Sequence, residues 1–145
     1  MTDQPVIGFT CSTSDLLHAG HILMLKEAAS VCDYLIVGIQ TDPTVDRPHK
    51  NKPVQSLDER LIQLEAVKYV DSIFVYTTED ELLELIANLD IDTRIVGADY
   101  IGKDFTGKQY CEDNDITIYY NSRDHAFSTT ELRQRVARYE AKEWH

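Results

Sequence analysis

Cysteine is scarce in this chain: three in 145 residues, at Cys11, Cys32 and Cys111, with no C-x-x-C pair among them. An odd, scattered set suits neither a disulfide framework nor a zinc site, so the three are expected to be reduced thiols. Positive charge is also short. Fourteen Lys and Arg against 25 Asp and Glu leave a formal charge of −11, which argues against sliding on nucleic acid or docking on anionic membranes, since both need a basic face. Any anionic substrate has to be small and met by a local group of cations. Long apolar runs are missing as well: nothing approaches the roughly 20 residues that span a bilayer. The opening MTDQPV lacks the basic and apolar stretches of a secretory leader, and the cytoplasm is the compartment expected. No repeat, low-complexity segment or linker divides the sequence. Its length suits one domain, residues 1–145, able to bury a core without disulfides or a structural metal.

What is present is an alternation of strand-like and helix-like segments. Val6-Ile7-Gly8-Phe9-Thr10 reads as a buried strand running into a small polar loop at residues 11–14. From Leu16 a helical pattern follows through Leu17, Leu23, Met24, Leu25 and Ala28. Residues 34–39 are a near-continuous apolar run, as in a parallel strand covered on both faces, and end at the break Thr41-Asp42-Pro43. The polar, cation-bearing stretch Asp46-Arg47-Pro48-His49-Lys50-Asn51-Lys52-Pro53 has two prolines and no periodicity, and is a loop of a length usually reserved for function. Ser56-Leu57-Asp58-Glu59 is a capping box that opens a second helix. A strand at 72–76, a helix at 79–89, strands at 93–97 and 116–120, and a final helix capped by Ser128 complete the order, with a frayed tail expected over 139–145. This alternation implies α/β architecture: a single Rossmann-like, doubly wound domain with a mostly parallel five-stranded sheet.

In open α/β sheets ligands bind beyond the carboxyl ends of the strands, where strand order reverses, and the unusual residues gather at such positions. Thr13, Asp15, His18 and His21 follow the first strand; Asp42 and the lysine loop follow the second; Asp99 and Tyr100 follow the fourth; Arg123 and Ser128-Thr129-Thr130 follow the fifth. His18 and His21 are three apart at a helix opening, so both rings can address one ligand group. Gly20 between them is expected to let a phosphate approach the first turn, where free N–H groups favour anions. An i, i+3 histidine pair can also bind metal, but no cysteine or third histidine stands at a ligand spacing. Ser128-Thr129-Thr130 with Arg133 one turn later offers a second anion cradle.

With these residues in hand, the chain resembles the cytidylyltransferase-like nucleotidyltransferases, especially the small enzymes of the glycerol-3-phosphate cytidylyltransferase type. The family's G-x-F-D-x-x-H-x-G-H corresponds to Ser12-Thr13-Ser14-Asp15-Leu16-Leu17-His18-Ala19-Gly20-His21, and its R-Y-V-D to Lys68-Tyr69-Val70-Asp71. Its G-D-D-W is similar to Gly97-Ala98-Asp99-Tyr100, and its R-T-x-G-I-S-T-T to Arg123-Asp124-His125-Ala126-Phe127-Ser128-Thr129-Thr130. The resemblance implies transfer of CMP from CTP to a small phosphorylated alcohol, with glycerol 3-phosphate the first acceptor to try, pyrophosphate leaving and no covalent enzyme intermediate. It implies His18, His21, Lys50 and Arg123 as catalytic groups on the phosphates. Thr13, Ser14, Asp15, Gly20, Asp99, Ser128, Thr129 and Thr130 would hold the nucleotide, and Lys52 and Arg60 the acceptor. For Arg60 a helix-surface salt bridge is the competing reading.

A magnesium ion carried by the triphosphate, without confident side-chain ligands, and a homodimer are implied as well. Two alternatives stay open: an adenylyltransferase using ATP on a sugar phosphate or another phosphorylated metabolite, and a nucleotide-binding module without turnover. The second is motivated by departures, since Ser12 and Ser14 replace the family's Gly and Phe. Lys68 likewise replaces an arginine, and the two cations are not interchangeable at a bidentate contact.

Overall fold

The apolar run at residues 34–39 forms β2 (Tyr34–Gln40), buried from Leu35 to Gln40. Such a strand must be covered on both faces, and the rest of the chain supplies the covers. In a computed structural model, which describes residues 4–122, 125 and 127–143, β2 lies between β1 (Ile7–Ser12) and β3 (Ser72–Tyr76), while β4 (Thr93–Gly97) and β5 (Thr117–Asn121) extend the sheet on the other side of β1. The order is β3-β2-β1-β4-β5 and every pairing is parallel, so the sheet is wholly rather than mostly parallel.

Strand alternation sorts the core into two layers. Leu35, Val37, Ile39 and Ile95 point to one face and pack with Leu25 and Ala28 of α1 (Ala19–Ser30) and Leu64 of α2 (Leu57–Glu65). Phe9, Ile36 and Tyr76 point to the other and meet Leu82 and Ile86 of α3 (Glu79–Leu89). A 3-10 turn at Ala98–Tyr100, then α4 (Lys108–Asp113) and α5 (Thr129–Glu143), complete the chain. The crossover from β3 to β4 places the reversal of strand order between β1 and β4, whose carboxyl ends therefore open a crevice.

The capping box at Ser56 forms as the sequence suggests: Ser56 Oγ accepts from Glu59 N at 3.2 Å and Glu59 returns the bond at 3.0 Å. Three expectations change. The first helix begins at Ala19 instead of Leu16, because Ser14 and Leu16 take left-handed backbone (φ 55° and 50°) and keep residues 13–17 as a loop. The turn and short helix between β4 and β5 were absent from the periodicity reading: α4 spans only Lys108–Asp113 and starts after Gly107, at φ 88°. Finally, α5 continues past Tyr139 to Glu143, into the stretch expected to fray.

Candidate active site

The loop after β1 is tied down by Asp15. Its carboxylate accepts from Val54 N and Gln55 N, both at 2.9 Å, and pairs with Arg133 of α5 at 3.5 Å. Gln55 in turn accepts from Leu16 N at 2.8 Å, so the left-handed residues are held between two loops. Asp15 thus spends its oxygens on building the site's frame, and it also lines the smaller of the two cavities there. Ser14 is buried, with its Oγ 3.0 Å from that of Ser12.

The chain then enters α1 through a cap built of imidazoles. His18, extended at the N-cap, accepts from Gly20 N through Nδ1 at 3.0 Å, and His21 Nδ1 accepts from His18 N at 3.1 Å. With each Nδ1 taken by a backbone N–H, a neutral ring must carry its proton on Nε2. Both rings, 4.1 Å apart between centroids, therefore present an N–H. That of His18 lies 3.0 Å from Thr129 Oγ1. Burial and then the His125 ring push His18 below its ordinary pKa. Burial first, then His18, against an opposing pull from Asp15, takes His21 down to about 4. At neutral pH the pair are donors, not cations. Positive charge around them comes from Lys52 and Arg133, which share a cavity of about 220 Å³ with Ser12, Thr13, His21 and Thr129.

Gly20 is placed differently from expectation. A Cβ there would stand 3.0 Å from both His125 Cε1 and the Phe127 carbonyl oxygen, and 2.8 Å from His18 Cε1. The missing side chain lets the segment before α5 pack onto the first turn, and the space is protein instead of an open approach for phosphate. Ser128 caps α5, accepting from Glu131 N at 3.0 Å. Thr130 is exposed and lies outside the walls of both cavities described here. Arg123 falls outside the described residues.

A larger cavity of about 460 Å³ adjoins the first, sharing Ser12, Thr13 and Asn51 with it. That volume suits a small-molecule site. Lys50 and Asp99 line it, together with Gln40, Arg47, Tyr76, Glu79 and Arg94, which motif reasoning did not select. Lys50 and Lys52 thus face different cavities. Lys52 stands 3.9 Å from Asp42, itself held below the usual carboxylate range by the Thr44 hydroxyl and N–H. A charged residue inside the apolar strand 93–97 was the available sign of Arg94.

Arg60 overturns both sequence readings. It is 2% exposed and donates to the carbonyls of Gln55, Thr13, Gln40 and Thr41 at 2.6–3.3 Å. The guanidinium neutralises carbonyl ends at the mouth of β1 and β2, and is neither a surface salt bridge nor a ligand for acceptor phosphate. Glu27 was missed altogether. It accepts from Ser122 N and Oγ and from Tyr119 OH, fastening the end of β5 to α1 just before the segment that leads into α5.

Fold and site together define a nucleotidyltransferase domain: two Nε2–H donors at a helix start, at the switch point of a parallel sheet, with His21 on the wall of the smaller cavity. The chain belongs to the cytidylyltransferase-like family, whose model matches residues 9–135. It is 33% identical over 128 residues to glycerol-3-phosphate cytidylyltransferase of Bacillus subtilis strain 168, covering 88% of this chain and 95% of that protein. Over 137 residues it is 31% identical to the bifunctional protein HldE of Helicobacter pylori strain 26695, covering 94% of this chain but only 29% of that protein. The chain spans less than a third of the length of such HldE relatives. Among solved structures, a lipopolysaccharide core biosynthesis protein from Thermoplasma volcanium GSS1 superposes with a TM-score of 0.67 at 22% identity, over 86% of this chain and all of that one, a likeness of fold.

Proposed function

We propose that this protein transfers CMP from CTP to the phosphate of a small phosphorylated alcohol, with glycerol 3-phosphate as the reference acceptor and CDP-glycerol and pyrophosphate as products. The observation that carries the reading is the imidazole cap, in which the Nδ1 atoms of His18 and His21 are occupied by backbone N–H groups, so that both rings turn an Nε2–H outward, that of His18 resting on the Thr129 hydroxyl. An acceptor phosphate oxygen attacks the α-phosphorus, the bond from that phosphorus to the bridging oxygen breaks, and the electron pair leaves with pyrophosphate. Negative charge grows on the equatorial and leaving oxygens. Fixed donors aimed there, in a partly dried crevice, lower the barrier without reorganising. His18 and His21 donate to those oxygens, a phosphate oxygen replacing Thr129 Oγ1 as the partner of His18. Lys50, Lys52 and Arg123 add charge, Ser128 and Thr129 support the second helix start, and Asp99 faces the nucleoside.

In this reading magnesium arrives on the triphosphate. When bound it neutralises phosphate charge and polarises the reacting group. No helix among the described residues is long and apolar enough to cross a membrane; a cytoplasmic homodimer is the working form proposed. CTP is favoured over ATP because the likeness to glycerol-3-phosphate cytidylyltransferase spans nearly the whole of both chains. Pyrophosphate release with each nucleoside triphosphate and a panel of phosphorylated acceptors tests the proposal. Release with CTP alone supports it, release with ATP alone moves the protein to adenylyl transfer, and nucleotide binding without release sinks turnover.

A further inference from the structure

β4 is a central strand whose α3-facing positions should be apolar, yet Arg94 occupies one of them, paired with Phe9 of β1 and Ile118 of β5. It is 4% exposed and lines the larger cavity. Its guanidinium lies 5.7 Å from the centroid of Phe9 and 5.3 Å from that of Phe105, flanked by two aromatic faces. One nitrogen donates to the Thr106 carbonyl at 2.9 Å and another reaches Cys11 Sγ at 3.6 Å, while Nε is buried without a partner. Gly107 makes room for it: a Cβ there would stand 3.1 Å from Arg94 Nη1.

A buried guanidinium is costly unless a countercharge meets it, and ring faces and one carbonyl offset only part of that cost. Arg94 pairs with no carboxylate among the ion pairs of the described residues. Glu79, on the same cavity, is engaged elsewhere, by Arg47 at 3.9 Å and by the Thr106 hydroxyl at 3.2 Å. Those two charges offset each other, and each keeps one buried atom without a partner, Arg47 Nε and Glu79 Oε2. Both residues line the cavity and bring a donor group and an acceptor group to its wall, a combination that suits a hydroxyl, which does both. Arg94 remains, among the described residues, as a buried cation of this cavity that no carboxylate within ion-pair distance offsets, whereas Lys50 is exposed to solvent.

We infer that Arg94 is a specificity-determining residue that receives a carboxylate on the acceptor, so that the preferred substrate class is a phosphorylated hydroxy acid, its hydroxyl read by Arg47 and Glu79. This rests on the nucleotidyl-transfer reading, and it adds that the acceptor's phosphate lies toward the histidines with its far end beside Arg94, in the part of the larger cavity away from Asp99.

The test compares three acids with alcohols of matching length: 3-phosphoglycerate with glycerol 3-phosphate, erythronate 4-phosphate with erythritol 4-phosphate, and 6-phosphogluconate with glucitol 6-phosphate. Calorimetry measures their binding to the parent chain and to Arg94→Gln, and pyrophosphate release is followed in parallel with CTP. At least one acid is expected to bind the parent about tenfold more tightly than its alcohol, the worth of one charge-assisted hydrogen bond. In Arg94→Gln that ratio should collapse toward one. Alcohols binding as well as acids at all three lengths in the parent would overturn the inference without recourse to a variant. An acid preference that survives Arg94→Gln would overturn it too, and a melting temperature lowered with the ratio intact would reduce Arg94 to a packing role. Absence of pyrophosphate release from CTP with every acid and alcohol would instead count against CMP transfer, leaving the binding comparison to stand by itself.

Discussion

Replacing Arg60 by methionine separates a framework role from a ligand-binding one. The substitution keeps an unbranched side chain of similar reach and removes the donors to the Thr13, Gln40, Thr41 and Gln55 carbonyls. Hydrogen bonds from a charged group contribute about 1.5–3 kcal/mol each, and release of a buried charge offsets part of the sum, for a net loss of about 3–5 kcal/mol. In a domain of this size each kcal/mol moves the melting midpoint by roughly 2–4 °C, so Arg60→Met should melt about 6–20 °C below the parent. Calorimetry gives the midpoint, and steady-state kinetics on the folded fraction gives KM for the acceptor. Because Thr13 and Gln40 also line the cavities, activity should fall together with stability. A midpoint within about 2 °C of the parent, with KM for the acceptor raised and kcat preserved, would refute the argument and restore Arg60 as a ligand for acceptor phosphate.

His18→Ala and His21→Ala should each lower kcat by roughly 10²–10³, the usual cost of losing one preorganised donor, with smaller change in CTP affinity; single-turnover measurements of CMP transfer check this. Acid should destabilise the fold through His21, whose folded-state pKa of about 4 lies below the ordinary 6.5. Above pH 6.5 both states are neutral there, and as pH falls toward 4 the unfolded chain takes the proton first. Stability should therefore drop by about 2–3 kcal/mol across that window, and urea titrations of His21→Gln should show a shallower fall than the parent. Asp15→Asn should loosen the 51–55 loop, since an amide offers one acceptor where the carboxylate serves two N–H groups and Arg133; hydrogen exchange at Val54 and Gln55 should rise.

Much of the molecule is legible along the chain because the signals are short-range. The continuous apolar run of β2, the helical spacing at 79–89 and the capping box at Ser56 depend on neighbours within a turn or a strand, and each appears where expected. The pairing of His18 with His21 is of the same kind: residues three apart at a helix start meet through backbone geometry alone.

Other roles were decided only when distant segments met. Arg60 looked like a helix-surface cation, but its carbonyl at Thr13 lies 47 residues away, and no local pattern shows that α2 turns that face toward the strand ends. His18 finds Thr129 across 111 residues, which makes the two helix starts one site. Gly20 suggested open space, and the packed chain fills it with His125 and Phe127. Composition and periodicity determine the order of elements and the residue types at the strand ends. Burial, which decides whether a cation binds a ligand or a carbonyl, is a property of the assembled sheet and its covering helices, and Arg60 and Arg94 acquired their meaning there.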